Sequence, residues 1–85
     1  MDRWIPIELA VLSNPELSMN AKGLYAMIIS LGKEEVSINV VLLQTKENKL
    51  MVVNTLKELK EQGYVDVREF MNLRGQIVDY RISIL

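Results

Sequence analysis

The chain contains no cysteine and no histidine. The first absence removes disulfide frameworks and thiol nucleophiles. The second removes imidazole bases, and together they remove every zinc site built on Cys or His. Proline occurs twice and glycine four times; the glycines, at 23, 32, 63 and 75, lie too far apart for a phosphate-cradling loop. No apolar run approaches the roughly 20 residues of a membrane span. The opening residues Met1, Asp2, Arg3 and Trp4 lack the pattern of a secretory leader. A soluble, cytoplasmic protein without membrane contact is expected. Two acidic pairs remain, Glu34 with Glu35 in a connecting segment and Glu58 with Glu61 on a lysine-rich helix face. Both read as ordinary solvated charges. Neither an enzyme nor a cofactor, a metal or a small-molecule ligand is expected.

What is present is core material. Hydrophobic residues make up 49% of the 85, and a chain this short buries only about 60–65% of its unfolded surface. One domain over residues 1–85 is expected. The net charge is −1, against the basic balance of a typical phosphate-binding domain. The sign is uneven: residues 1–45 hold three basic and five acidic side chains, and residues 46–85 hold seven and six.

Residues 1–17 read as an N-terminal arm, extended around Pro6 and then briefly helical, ending in the Ser13-Asn14-Pro15 loop. Ser18 is an N-cap residue, and Ala21, Leu24, Ile28 and Leu31 recur at helical spacing, with Tyr25 and Met27 widening the stripe. The pattern predicts a first helix over 18–31, closed by Gly32. Ser37 opens a second helix over 37–44 with Ile38, Val41 and Leu42 inward, and Val36 before it has the character of a very short strand. A third helix is predicted over 48–62, with Val52, Leu56 and Leu59 at core spacing and Gly63 as its stop. The period then changes to two. Val65 and Val67 alternate with Asp66 and Arg68, Asn72-Leu73-Arg74-Gly75 supplies a turn, and Val78, Tyr80, Ile82 and Ile84 share one face of a return strand. That is a hairpin over 64–85. Three helices followed by a hairpin is the order of an α+β winged helix-turn-helix, in which each element needs the others to cover its apolar face.

Two stretches carry a resemblance. Leu17-Ser18-Met19-Asn20-Ala21-Lys22-Gly23-Leu24-Tyr25-Ala26 resembles the opening helix of the winged-helix domains of phage and plasmid replisome organisers and replication initiators. Leu56-Lys57-Glu58-Leu59-Lys60-Glu61-Gln62-Gly63-Tyr64-Val65 is similar to the end of their recognition helix and first wing strand, a pattern shared across winged-helix regulators. The likeness spans nearly the whole chain. It implies a DNA-binding domain of a mobile element, acting in replication or transcriptional control. Length is the departure, since such initiators usually carry a further domain.

A reading helix of this fold presents its first turns to the major groove and its wing to the backbone or minor groove. Thr45, Lys46, Asn48, Lys49, Met51 and Asn54 are then the residues expected nearest a duplex, with Arg68 and Arg74 holding the backbone. The lysines would contact phosphate or guanine, and the asparagines match an adenine edge. The plain alternative for each is a solvated surface side chain.

A second reading stands beside this one. Outward slots of the second and third helices hold Val40, Leu43, Leu50, Met51 and Val53. Contiguous exposed apolar surface usually marks a protein interface and gives phosphate no attraction. Such a face suits a protein partner or a homodimer. The apolar arm Trp4-Ile5-Ile7 and the C-terminal run Ile82-Ser83-Ile84-Leu85, at a possible open sheet edge, point the same way unless they pack into the core.

Overall fold

The computed structural model describes residues 9–85, so the arm residues Trp4, Ile5, Pro6 and Ile7 lie outside the described part. Within it the order is α1 (Leu9–Ser13), α2 (Met19–Ser30), β1 (Glu35–Ser37), α3 (Ile38–Leu42), α4 (Lys49–Glu61), β2 (Val65–Met71) and β3 (Ile77–Ile84). This is an α+β domain, four helices on a three-stranded antiparallel sheet of order β1-β3-β2.

Each longer helix begins where a side chain can satisfy a free backbone N–H. Ser18 caps α2 through Ala21 N, and Asn48 caps α4 through Met51 N; Ser37 does the same for the short α3 through Asn39 N. The end of α4 is equally determined. Gly63, at φ +80°, donates to Lys60 O, and Tyr64 N–H reaches back to Leu59 O. This double closure needs a left-handed residue at position 63, where a side chain would be strained.

The core forms where the helical stripes meet the sheet. Ala21, Leu24, Tyr25 and Ile28 of α2 join Ile38 and Val41 of α3, Val52, Leu56 and Leu59 of α4, and Val36, Val65 and Ile82 of the strands. Val11 and Leu17, from the segment read as an arm, are buried among them. Asn14 ties that segment down, donating from Nδ2 to the Tyr64 hydroxyl at 3.0 Å, while Tyr64 meets Tyr25 edge-on at 6.0 Å between ring centres. Across the sheet, Ile82 has Val36 on one side and Val67 on the other, a continuous apolar row beneath α4.

Three expectations are corrected. The return strand does not keep Val78 on the dry face. A bulge between the pairs Phe70↔Asp79 and Met71↔Ile77 adds one residue to β3, so Ile77 lines the α4 side with Tyr80, while Val78 is 53% exposed. A single extra residue shifts the alternation by one, which is what a bulge does. The C-terminal strand is not an edge either: β3 is central, because β1 pairs with it through Val36↔Ile82. Finally, α3 is a short helix ending at Leu42, with Leu43 as its C-cap rather than a helical residue within a span to 44.

Candidate functional site

Helix α4 has three sides. Val52, Leu56 and Leu59 face the core. Leu50, Asn54, Lys57 and Glu61 recur four, three and four positions apart and are all exposed, forming the outer stripe. On the flank toward the hairpin, Val53, Leu56, Lys57 and Lys60 meet Val67, Glu69, Ile77 and Tyr80 around a cleft of about 350 Å³. Lys49 stands over the Tyr80 ring, its Nζ 5.8 Å from the ring centre. The cleft thus has an apolar floor, a lysine rim and one glutamate on its wall. On the opposite flank, toward α2, Met51, Val52 and Thr55 line a second cleft of about 240 Å³ with Met19, Gly23, Leu24, Met27, Thr45 and Glu47.

Glu69 lines the cleft with the lysines, whereas Glu58, Glu35 and Asp79 are held elsewhere. Glu58 reaches across to the start of α2, accepting from Ser18 N at 2.5 Å and from Ser18 Oγ at 2.8 Å. Glu35 and Asp79 lie on the far face of the sheet. There Arg68 donates to Glu35, and Arg81 Nε donates to Asp79 at 2.5 Å, with its Nη1 3.5 Å from Glu35. Both guanidinium groups also stack on Phe70, at 5.5 and 5.3 Å from its ring centre. Ser37 Oγ donates to Asp79 at 2.7 Å. The Arg81 hydrogen bond first, and the Ser37 bond second, hold the Asp79 carboxyl below the usual carboxylate range. So Glu35 and Glu58, read from sequence as merely solvated, are structural.

The residues expected near a duplex divide into four groups. Lys46, Lys49 and Asn54 are exposed on the turn and on α4, and Arg74 is exposed at the hairpin tip. Asn72 fixes that tip: its Oδ1 accepts from Arg74 N at 2.9 Å and from Gln76 N at 3.0 Å, and Gly75 turns the chain at φ +77°. Thr45 and Met51 face the α2-side cleft instead. Thr45 Oγ1 accepts from Glu47 N at 3.2 Å. Arg68 lies on the outer sheet face, tied to Glu35, and does not join the others. Asn48 is exposed, and its Oδ1 accepts from Met51 N at 2.9 Å as the helix cap. Lys57 and Lys60 were not among the expected contacts. In sequence they look like solvated lysines in a Lys-Glu helix; only the hairpin beside them gives them a shared cleft.

The apolar outward slots divide too. Val40 and Val53 are half-buried against the core. Leu43 is 84% and Leu50 69% exposed, and Met51, 39% exposed, leans into the α2-side cleft.

Among the described residues, no helix is long and apolar enough to cross a membrane. In comparisons with known proteins, no family model, no curated protein and no solved structure matches the chain.

Proposed function

We propose that this domain is a winged helix-turn-helix that binds double-stranded DNA, with α4 as the reading helix and the β2–β3 hairpin as the wing. The observation that carries the reading is the distribution of cations. Lys49, Lys57 and Lys60 border one cleft between helix and hairpin, with Lys46 in the preceding turn and Arg74 at the tip. Glu69 is the one carboxylate lining that cleft, and Glu58, Glu35 and Asp79 are engaged in intramolecular bonds away from it. A net charge of −1 therefore conceals a local excess of positive charge. Five such cations are a modest phosphate-binding set, suited to association that depends on salt. The resemblance to replisome organisers and replication initiators supports a role in replication or transcriptional control of a mobile element, in the cytoplasm and without catalysis.

The direct test is an electrophoretic mobility shift on duplex DNA at about 50 mM salt. Lys57→Glu with Lys60→Glu is expected to abolish the shift while leaving the circular dichroism spectrum unchanged. Retention of the wild-type shift by this double variant would remove the cleft from the reading.

One observation favours a second reading, in which the domain binds a protein or a second copy of itself. Leu43 is almost fully exposed at the end of α3, outside the lysine cleft. Leu43→Asp should then disrupt a complex without loss of fold, and light scattering at two concentrations separates a monomer from a dimer.

A further inference from the structure

Leu50 is the side chain least expected on a DNA-reading helix, and its position gives it a specific use. It occupies the second position of α4, 69% exposed, with Asn54 one turn later on the same outer stripe. Residues four apart on a helix hold their Cβ atoms about 6 Å from one another, a separation that spans adjacent base pairs. Three of the other expected base contacts have a different task or orientation. Asn48 is engaged as the N-cap, and Thr45 and Met51 face the α2-side cleft. Asn54, by contrast, makes no side-chain hydrogen bond among the described residues, so both its donor and its acceptor are available.

We propose that Leu50 and Asn54 form a base-reading pair for A·T steps, Leu50 against the 5-methyl of thymine and Asn54 bidentate on an adenine edge. This rests on the DNA reading above and gives it a sequence preference. The surface around the pair calls for a ligand that is apolar at its centre and anionic at its margins. Leu50 supplies the centre, Lys49 and Lys57 stand beside the pair on the same helix, and Glu61 lies at the far end of the stripe, one turn beyond Lys57. A major groove with a thymine methyl on its floor and phosphates along both walls has that pattern. A wholly apolar protein surface does not, because it would desolvate the lysines without pairing them.

The test begins with selection of duplexes from a random-sequence pool by the wild-type protein. Each thymine in the selected duplex is then replaced singly by deoxyuridine, which deletes only the methyl, and each adenine by 7-deazaadenine, which deletes the N7 acceptor. At one thymine, methyl deletion should weaken wild-type binding about fivefold to tenfold, in line with the discrimination of a good base contact. It should change binding of Leu50→Ala less than twofold. At an adenine within two base pairs, the N7 deletion should weaken wild type but not Asn54→Ala. Wild-type indifference to every methyl, or equal sensitivity in Leu50→Ala, overturns the proposal while duplex binding itself still stands. So does binding without any sequence enrichment. Failure of the wild type to bind any duplex overturns the DNA reading and this inference together. Leu50 is largely exposed, so its truncation should leave the thermal unfolding midpoint within about 2 °C of wild type.

Discussion

Glu58 of α4 caps α2 at Ser18, 40 positions earlier in the chain, accepting from both its backbone N–H and its hydroxyl. The same Ser18 Oγ accepts from Ala21 N at 3.1 Å, so one short relay joins the helix start to a neighbouring helix. Removing the carboxylate returns two donors to water and loosens the α2–α4 contact. Glu58→Ala should cost about 1–2 kcal/mol, read as a fall of about 4–8 °C in Tm per kcal/mol in a domain of this size. Adding Ser18→Ala should cost less than the sum of the two single losses, because both disrupt the same relay. Strict additivity would show that the Ser18 hydroxyl and the Glu58 carboxylate are not coupled.

Ile82 is fully buried between Val36 and Val67 in the central strand. Truncation to alanine leaves a cavity under α4 that neither strand neighbour can fill. Ile82→Ala should cost about 2–5 kcal/mol by urea unfolding, a large share of the stability of a small domain. Leu85→Ala, at an exposed terminus, should change it by less than about 0.5 kcal/mol. A mild effect at Ile82 would contradict the central placement of β3.

Asp79 is held below the usual carboxylate range by Arg81 and Ser37. A carboxylate whose pKa is depressed by folding contributes stability above its unfolded pKa, near about 4, and loses that contribution as the pH falls through the folded value. The wild type should therefore lose stability below about pH 4 more steeply than Asp79→Asn, while Asp79→Asn is the less stable protein at neutral pH. Parallel acid-unfolding curves for the two would show that the Ser37–Asp79–Arg81 contacts are not formed in solution.

Most of the fold was legible because it follows from local rules. Ser18, Ser37 and Asn48 signalled helix starts by their capping chemistry, and Gly32 and Gly63 signalled ends, where both take positive φ. The stripe Val52, Leu56, Leu59 was buried as its spacing required. The bulge at Val78 was not legible, since Ile77 and Val78 are equally apolar and only strand register distinguishes them. The candidate site was less legible still. Whether a lysine helps bind a polyanion depends on where the nearest carboxylates go, and Glu58 and Glu35 go to partners 40 and 33 residues away. Sequence order placed Arg68 with the wing cations, whereas strand alternation puts it on the opposite face beside Glu35.

That difference is itself testable. Arg68→Ala should change duplex affinity less than twofold, because its guanidinium is tied to Glu35 and Phe70 away from the cleft. Lys57→Ala and Lys60→Ala should each weaken binding about threefold to tenfold at about 50 mM salt, uniformly across sequences, as loss of a phosphate contact does. Fluorescence anisotropy on one labelled duplex suffices for all three. A larger loss at Arg68 than at Lys57 would move the binding surface to the outer sheet face.

The most direct measurement is the dependence of duplex affinity on salt, followed between about 50 and 200 mM. With Lys46, Lys49, Lys57, Lys60 and Arg74 able to reach phosphate, the slope of log K against log salt should be about −4 to −5. In the variant carrying Lys49→Glu, Lys57→Glu and Lys60→Glu, which keeps only Lys46 and Arg74 of the five, it should flatten to about −2 or less. A wild-type slope near zero, or no duplex binding at the lowest salt, would contradict the assignment of this helix and hairpin to DNA.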